Sequence, residues 1–430
     1  MNSLWKATAE IPRFPSLKRD IKTDVLIIGG GMAGILTAYL LEQQGVNYCL
    51  VEGGRIANAT TANTTAKITA QHGAIYAELL NKIGAENARK YLEINLKAVD
   101  LIKQIATDCD LEQKDNYVYS KTDRKKLENE ILALEKIGFK AELCDSVPLP
   151  LRTVGAVKFT NQAQFHPLKF IRTISKNLKI YENTFVKEVK DGIAYTATNT
   201  VKAQKIIVAT HFPFINRHGN YFLKLYQHRS YVTTLKYAQN VDGMYVDEAK
   251  NGLSFRNYKD LLLLGGGDHR TGKQGGGLGE LRRFAKNNYS KAREIYTFAA
   301  QDCMSLDSLA YIGKYSAFCS ELYVATGFNK WGMTGSAVSA MLLCDMILGK
   351  NNEYASVFSP SRSILKPQLA VNGFETITNI LNFKTPRCTH LGCALKWNKQ
   401  EHSWDCTCHG SRFSEDGKVL ENPAMKNLED

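Results

Sequence analysis

The chain has 430 residues, 44% hydrophobic and 23% charged, so it can bury a sizeable core and is too long for one ordinary domain. Its formal net charge is +13, but Lys and Arg are scattered and no basic segment is interleaved with aromatic residues, which argues against nucleic-acid binding. The N-terminal residues lack an apolar signal core and no apolar run approaches about 18 residues. We therefore predict a cytoplasmic protein without a transmembrane segment.

The first predicted elements form a βαβ unit. A buried strand, a helix and a second strand follow one another at 23–28, 33–44 and 47–52. In the turn after the first strand, Gly29 makes the tight turn, Gly31 lets the backbone approach a pyrophosphate and Gly34 allows close helix–strand packing. Glu52 ends the second strand and is placed to accept a hydrogen bond from a ribose hydroxyl. The unit predicts a dinucleotide site, and by itself it leaves NAD and FAD open.

The middle of the chain predicts a mixture of helices and strands. Residues 76–138 read as helical, with amphipathic runs at 85–105 and 123–137. A helix is also predicted from about 279 to 300. Strand signals are found at 155–160, 230–237 and 253–264.

Two segments outside the βαβ unit carry a family resemblance. A strand at 203–210, and a strand from Glu321 that enters a glycine-rich turn and an apolar helix up to about Gly349, resemble the D-amino-acid oxidase and glycine oxidase superfamily. The resemblance spans nearly all of residues 20 to 350. It implies FAD as the cofactor and a substrate part, inserted between the cofactor strands, whose antiparallel sheet covers the flavin ring. It also implies further cofactor-binding residues, namely Thr65, Val186, Gly327, Gly332, Met333 and Thr334.

The C-terminal end carries two short boxes of Cys and His residues. Cys388 and His390 lie in the first box, and Cys406 and His409 lie in the second. Two thiolates and two imidazoles can ligate a two-iron cluster, with sulfur on one iron and imidazole on the more easily reduced iron. Such a site moves single electrons. The same four residues could instead form a tetrahedral zinc site.

Two further cysteines of these boxes, Cys393 and Cys408, count against zinc because a zinc finger gives them no role. No recognition helix carries the His pair either. All six residues resemble the two boxes of the Rieske family. The resemblance implies thiolate ligands Cys388 and Cys406, imidazole ligands His390 and His409, and a clamping disulfide between Cys393 and Cys408.

A closer resemblance is to a branch of the oxidase superfamily that is fused to a Rieske domain. It rests on the segments 64–73, 265–272 and 301–307. Rieske proteins usually place several base strands before the first box, but residues 373–384 have apolar residues at helical spacing. The Rieske-type segment therefore looks shortened, with two hairpins left at 394–406 and 411–420.

The candidate catalytic residues come from three places. Lys67 and His72 follow the ribose strand in a loop that passes the flavin ring in the family, so Lys67 would stabilise reduced flavin; the alternatives are a surface lysine and a satisfied core histidine. Arg229 and Tyr231 begin a predicted strand of the covering sheet and could bind a substrate carboxylate, or form a structural ion pair. His269, in a glycine-rich turn, is the fifth candidate.

The predicted fold class is α/β: a Rossmann-like FAD-binding domain with an interleaved α+β substrate domain, plus a small, shortened all-β Rieske-type segment. The expected parts are an oxidoreductase at 1–355, with its cofactor part at about 20–75, 150–215 and 310–350 and its substrate part at about 76–149 and 216–309, a linker at 356–384 and the Rieske segment at 385–430.

The expected function is an FAD-dependent oxidoreductase that oxidises a small amine or amino acid by hydride transfer. Electrons would then pass singly through a [2Fe-2S] cluster to an external acceptor, for which the positive chain makes an acidic redox protein one candidate. One alternative is a reductase fed by NAD(P)H or ferredoxin, although the glycine runs at 265–267 and 275–277 do not sit in a convincing second βαβ unit. A non-enzymatic redox-sensing protein is the other.

Overall fold

The computed structural model describes residues 1–249, 251–382 and 385–429. Within these ranges the α-helices are Leu4–Thr8, Met32–Gln43, Tyr76–Ile105, Arg124–Lys136, Pro167–Ile174, Tyr221–Lys224, Gly277–Asn288, Gly332–Ile347 and Pro367–Ile380. Short 3-10 helices occupy Thr60–Asn63 and Ala355–Phe358. None of the helices in the described part of the chain has the length and apolar character needed to cross a bilayer.

The first sheet has eight strands and holds the predicted βαβ unit. Its main path runs in the order Tyr311–Lys314, Leu322–Thr326, Thr200–Val208, Ile21–Ile28, Tyr48–Val51 and Ile180–Tyr181, with Glu188–Lys190 and Ile193–Tyr195 paired at the side. The central strands pair in parallel. Residues 25–28 of the central strand are all buried, as expected for a parallel strand covered on both faces. The predicted strand–turn–helix–strand succession is therefore confirmed.

The second sheet has nine strands and is the interleaved α+β part. Its order is Arg293–Ser305, Leu225–Lys236, Leu261–Arg270, Ser254–Tyr258, Met244–Asp247, Glu112–Ser120, Gly155–Gln164 and Lys67–Ile68, with Glu142–Cys144 paired to Gly155–Gln164. The strand Gly155–Gln164 lies in this sheet, and the start of the second cofactor stretch at about residue 150 stays a prediction. Lys67 belongs to the strand Lys67–Ile68 at the edge of this sheet, and Thr65 lies two residues before it.

Two helical predictions are wrong. The stretch 76–138 is interrupted by the strand Glu112–Ser120, which pairs with Gly155–Gln164. The helix predicted to reach about residue 300 ends at Asn288, and Arg293–Ser305 is a strand paired along its whole length with Leu225–Lys236. Both strands are stabilised by partners far away in the sequence, which local periodicity does not reveal.

The C-terminal part forms a separate four-stranded antiparallel sheet. Its order is Leu395–Asn398, Ser403–Cys406, Arg412–Ser414 and Val419–Glu421. The predicted hairpins are confirmed, and helix Pro367–Ile380 precedes them where apolar residues at helical spacing had indicated it. The mixed α/β fold with a small all-β end agrees with the predicted fold class.

Candidate cofactor sites and their junction

The glycine turn after the first strand is held by its own backbone and by Glu52. The N–H of Gly29 donates to the carbonyl of Val51 at 2.9 Å. Glu52 accepts hydrogen bonds from the N–H groups of Gly30, at 2.7 Å, and Gly54, at 2.8 Å. Burial raises the pKa of Glu52, while these two donors oppose that rise. The carboxylate is thus fixed at the end of its strand, in the wall of the cavity described below.

The three motif glycines have different physical roles. Gly29 has φ +113°, and a Cβ there would lie 2.5 Å from the carbonyl oxygen of Ala209. A Cβ at Gly34 would lie 1.9 Å from the carbonyl oxygen of Gly29, so Gly34 sets the close packing of helix on strand. A Cβ at Gly31 would meet only the Thr61 hydroxyl oxygen, at 3.7 Å. Gly31 therefore leaves space toward the cavity, at the N-terminus of helix Met32–Gln43, where a pyrophosphate fits.

A cavity of about 1360 Å³ runs from this turn to the C-terminal segment. It exceeds the range of roughly 300–1,000 Å³ of ordinary ligand pockets and has room for a dinucleotide and a small substrate. The predicted cofactor residues in its wall are Gly29, Gly31, Glu52, Thr65, Val186, Gly332 and Met333. The open cradle at Gly31 and this volume fit FAD.

Three predicted cofactor residues, Gly34, Gly327 and Thr334, do not line the cavity but position the chain segments around it. Gly34 packs the helix, as described. Gly327 has φ +71°, which lets the chain turn after strand Leu322–Thr326. The hydroxyl of Thr334 donates to the carbonyl of Thr69 at 2.8 Å and accepts from the Thr69 N–H at 3.2 Å. These contacts join the second glycine-rich segment to the loop that carries Lys67.

Lys67 is a buried cation in the cavity wall. Its side chain is 7% exposed, and its ammonium group reaches the Thr65 hydroxyl at 3.4 Å. Burial, and then the nearby Arg256 guanidinium, lower the pKa of Lys67 to about 7. Lys67 therefore can change its charge near neutral pH, which a surface lysine does not do.

We expect Lys67→Met to stabilise the fold at neutral pH. The pKa of Lys67 is lower in the folded protein than in the unfolded chain, so the unfolded state binds more protons between about pH 7 and 10.5. The contribution of Lys67 to the stability of the parent therefore becomes less unfavourable as the pH rises across this window. The gain in stability of the variant should be on the order of 5 kcal/mol below pH 7 and should vanish above pH 10.5. Urea unfolding of both proteins at pH 6.5 and 9.5 measures it. An equal difference at both pH values would show that Lys67 is not a depressed cation.

His72 is a hydrogen-bonded core histidine. Its Nε2 lies 2.8 Å from the carbonyl oxygen of Thr69, and its Nδ1 lies 2.6 Å from the Tyr91 hydroxyl. Burial lowers the pKa of His72 to about 3, so the ring is neutral. A carbonyl only accepts, so Nε2 carries the proton and Nδ1 accepts from Tyr91. The ring also stacks on Trp331, with centroids 4.9 Å apart.

Two carboxylates that were not among the predicted site residues lie in the wall of the same cavity. Asp302 and Asp268 are in its wall together with Lys330. Lys330 forms an ion pair with Asp268, whereas Asp302 accepts a hydrogen bond from the Ser230 hydroxyl at 3.1 Å. Burial raises the pKa of Asp302. The helix predicted from about 279 ended at about residue 300, so the sequence did not indicate the strand pairing that brings Asp302 to Ser230.

Arg229 and Tyr231 hold the C-terminal segment. The Arg229 guanidinium pairs with Glu401, and its Nη1 lies 2.9 Å from a Glu421 oxygen. The Tyr231 hydroxyl donates to Glu401 at 2.8 Å, while its ring lines the cavity. The structural ion pair, which was the alternative to carboxylate binding, is thus what the structure contains. His269 stacks on Tyr231 at 5.7 Å, and neither His269 nor Arg229 is in the cavity wall.

The oxidoreductase part and the C-terminal segment contact each other through a buried network of ion pairs and through hydrogen bonds to backbone carbonyls. Arg412 joins Glu401 at 3.0 Å and Asp405 at 2.9 Å. Arg270 donates to the carbonyl oxygens of Thr407, at 3.0 Å, and Cys408, at 3.3 Å. The Gln301 amide donates to the carbonyl of Gly410 at 2.8 Å. The backbone of the second Cys–His box is therefore held by strands of the second sheet.

We expect Arg229→Met to weaken retention of the cluster while the flavin site keeps its cofactor. Without Arg229, the buried negative charge of Glu401 is less well compensated. Removing one partner of a buried ion pair typically costs about 3–5 kcal/mol of stability. Iron and FAD per protein, measured after gel filtration, should show iron loss alone. Arg282→Met is the control, since Arg282 pairs with Glu294 at the surface and such pairs contribute below about 1 kcal/mol. Equal iron in both variants contradicts the anchoring role.

The four box cysteines form one buried group. Cys388, Cys393, Cys406 and Cys408 pack together with Phe413 in a small core. The sulfurs of Cys393, Cys406 and Cys408 all lie within 4.8 Å of one another. The structure has all ten cysteines as free thiols, so the disulfide between Cys393 and Cys408 stays a prediction. The Ser411 hydroxyl bonds to Cys388 and lowers its pKa, against a larger rise caused by Cys406 and by burial.

The two box histidines face each other beside this group. The ring centroids of His390 and His409 are 5.0 Å apart, and neither Nδ1 atom has a hydrogen-bond partner among the described residues. Burial lowers the pKa of His390 to about 3 and that of His409 to about 4, so both rings are neutral and able to ligate a metal. Orphaned imidazole nitrogens next to buried thiols fit the predicted cluster.

The zinc alternative agrees less well with this arrangement. Tetrahedral zinc with bonds of about 2.0–2.3 Å places its ligand atoms roughly 3.3–3.8 Å apart. In the part of the chain that the structure describes, no three of the four predicted ligands gather within 4.8 Å of one another. A two-iron cluster needs no such convergence, because its thiolates and imidazoles bind different irons.

Comparisons with known proteins agree with both sites. The family model described as FAD dependent oxidoreductase matches residues 24–346, and the Rieske [2Fe-2S] domain model matches residues 379–430. The chain is 36% identical to YhfW of Bacillus subtilis (strain 168), a protein named for a Rieske 2Fe-2S centre, over 99% of this chain and 96% of that one. The cytochrome b6-f complex iron-sulfur subunit of Synechococcus sp. (strain JA-3-3Ab) is 50% identical over 42 residues, which are 10% of this chain and 24% of that one.

Solved structures show the same fold. Glycine oxidase from Geobacillus kaustophilus matches 80% of this chain and 99% of that one, with a TM-score of 0.68 at 18% identity. L-proline dehydrogenase from P. horikoshii matches 81% and 98%, with a TM-score of 0.67 at 16% identity. Together with the two sites, these matches imply FAD and a [2Fe-2S] cluster as the cofactors, and the chain belongs to the FAD dependent oxidoreductase family, with a Rieske domain at its C-terminal end.

Proposed function

We propose that this oxidoreductase removes two electrons from a small amine or amino acid and delivers them one at a time to an external acceptor. Bound FAD supplies hydride acceptance, and the [2Fe-2S] centre supplies single-electron transfer. The observation that carries the proposal is the position of His409, a predicted cluster ligand. His409 is buried against the oxidoreductase part, with its ring centroid 6.3 Å from those of both Phe212 and Phe222.

A short stretch of chain connects the two sites. Ala209 follows the strand Thr200–Val208, and its N–H donates to the carbonyl of Ile28 at 2.8 Å, directly before the glycine turn. Phe212 comes three positions later and contacts both box histidines. The Asn422 amide fixes this stretch by donating to the carbonyl oxygens of Thr210, at 2.7 Å, and Phe212, at 3.0 Å. We take this stretch as the path between the cofactors.

The cavity residues favour a cationic substrate group. Asp302 lies in the cavity wall, where the Ser230 hydroxyl donates to it, and Asp268 already forms an ion pair with Lys330. An ammonium group donates to carboxylates and would lower the cost of burying the Asp302 charge. Asp302 is thus our candidate for binding the amine, while Lys67 is our candidate for holding a proton near the flavin.

We expect Asp302→Asn to raise KM for the amine by about tenfold or more, because a charged hydrogen bond to the substrate is lost. FAD content should be unchanged, since Asp302 is not part of the glycine turn. The exposed Asp100→Asn serves as control and should bind substrate like the parent. Steady-state kinetics with the best amine from a bleaching screen measures both. An unchanged KM in Asp302→Asn places the amine elsewhere.

A pyridine-nucleotide reductase is less well supported. The glycine run 265–267 lies inside the antiparallel strand Leu261–Arg270, and 275–277 precedes helix Gly277–Asn288 without a parallel βαβ unit. Anaerobic mixing separates the functions. Bleaching of the flavin by amines, N-methyl amino acids or D-amino acids supports the oxidase direction, bleaching by NADPH supports the reductase, and bleaching by neither supports a redox sensor.

The proposal also includes a redox partner and a cellular location. Single electrons need an external one-electron acceptor or donor, and the net charge of +13 favours an acidic surface on it. A cytoplasmic location agrees with six cysteines that are dispersed outside the two boxes as free thiols.

A further inference from the structure

Helix Pro367–Ile380 is inverted relative to an ordinary surface helix. Its buried residues are the polar Asn372, Glu375 and Asn379. Its apolar residues instead face outward, as do the apolar residues next to its ends; the exposed set is Leu365, Val371, Phe374, Ile377, Ile380 and Leu381. Phe374, Ile377 and Leu381 are 67%, 61% and 66% exposed. A helix that buries its polar side and exposes a continuous apolar side offers that apolar side for docking.

The polar side of this helix is firmly bound to the protein, so the apolar side is fixed outward. Asn372 accepts from Arg270 at 3.0 Å, and Glu375 pairs with Lys273. The carbonyl of Asn379 accepts from the N–H of Ala394, in the first Rieske box region, at 3.0 Å. Rotation of the helix to hide its apolar side would break these buried contacts.

The exposed charged residues in the chain segment that contains this helix are basic. Glu375 is the only acidic residue between 361 and 387, and it is buried and paired. The same stretch has four basic residues, of which Lys366 and Arg387 are partly exposed near the two ends of the helix. An apolar helix face rich in Phe, Ile, Leu and Val, with basic residues and no exposed acidic residue in the stretch 361–387, is the pattern of a helix that lies in the surface of an anionic bilayer.

We infer that this helix docks the protein on an anionic membrane surface, with its apolar side chains among the lipid headgroups and acyl chains. Such an interfacial helix needs no membrane-spanning segment. Because the helix touches the Rieske boxes through Asn379 and through the carbonyl of Glu375, which lies 3.9 Å from the Cys408 sulfur, docking brings the cluster next to the bilayer. Membrane-bound one-electron carriers then become the acceptor class. The docking itself does not depend on which substrate reduces the flavin.

Flotation of the holoprotein with vesicles tests the inference. The parent should float with vesicles of phosphatidylglycerol and phosphatidylcholine, and less with phosphatidylcholine alone or at high salt. The double variant Phe374→Ser, Ile377→Ser should bind about tenfold less or weaker still, since two exposed side chains no longer enter the bilayer. Leu132→Ser is the matched control, because Leu132 is 62% exposed on a different helix. It should bind like the parent.

Flavin absorbance and the cluster signal of each variant report that the fold is intact, independently of vesicle binding. Three results overturn the inference: a parent that stays with the dense fraction at every lipid composition, a control that loses binding as much as the double variant, and intact double-variant protein that binds as the parent does. If the parent does not bind vesicles, and light scattering shows that the parent is a dimer and the double variant a monomer, the apolar face instead binds a second copy of the chain.

Discussion

Gly31→Val is expected to give a folded protein that is colourless at flavin wavelengths. The new side chain meets only the Thr61 hydroxyl oxygen, at 3.7 Å from its Cβ, so the protein itself has room for it. The added methyl groups instead fill the cradle at the N-terminus of helix Met32–Gln43, which a pyrophosphate must approach. FAD binding should weaken by roughly a hundredfold or more, or about 3 kcal/mol.

The matched control for this variant is Gly279→Val. A Cβ at Gly279 also meets one polar atom, the Arg283 Nη1, at 3.7 Å, but this position lies outside the cavity wall. Gly279→Val should therefore purify yellow with full FAD occupancy. Circular dichroism shows whether each variant is folded. A fully yellow Gly31→Val would mean that this turn does not hold the dinucleotide.

Loss of a cluster ligand is expected to separate the two half-reactions. Cys406→Ser or His409→Ala should remove the iron–sulfur signal, because a thiolate or imidazole ligand is gone. Asp302, Lys67 and the glycine turn are untouched, so bleaching of the flavin by substrate should continue near the parent rate. Turnover with a one-electron acceptor that depends on the cluster should fall by about a hundredfold or more, as is usual when an essential group is removed.

The control for the ligand variants is Cys319→Ser. Cys319 is a partly exposed free thiol outside the two boxes. This variant should keep iron, flavin and turnover. Stopped-flow absorbance measures the first half-reaction, and electron paramagnetic resonance measures the cluster. If Cys406→Ser turned over as fast as Cys319→Ser with the physiological acceptor, the Rieske domain would have a structural or regulatory role.

The sequence was sufficient for the parts of the fold that depend on local patterns. The βαβ unit has its hydrophobic periodicity, its turn and its glycines within about 30 residues. A separate role could therefore be predicted for each of Gly29, Gly31 and Gly34. The Cys and His boxes were equally clear, since the spacing of Cys388 and His390, and of Cys406 and His409, is itself the signal. The helix before the first box also followed from its apolar spacing.

The contacts that could not be predicted from the sequence join residues that lie far apart along the chain. Arg229 meets Glu401 across 172 residues, and nothing near either residue indicates that the pair exists. Asp302 faces Ser230 only because Arg293–Ser305 is a strand paired to Leu225–Lys236, and the local pattern had suggested a helix up to about residue 300. In helix Pro367–Ile380 the spacing identified the helix but not which side is buried, and the buried side is the polar one.

One anaerobic experiment tests the transfer of electrons between the two cofactors most directly. Holoprotein is mixed with a substrate that bleaches the flavin, frozen at increasing times without any external acceptor, and examined by electron paramagnetic resonance. We expect the signal of the reduced cluster to grow as the flavin bleaches, and to be absent in His409→Ala, where the flavin still bleaches. A flavin that is fully bleached while the cluster of the parent stays oxidised would contradict the proposed route.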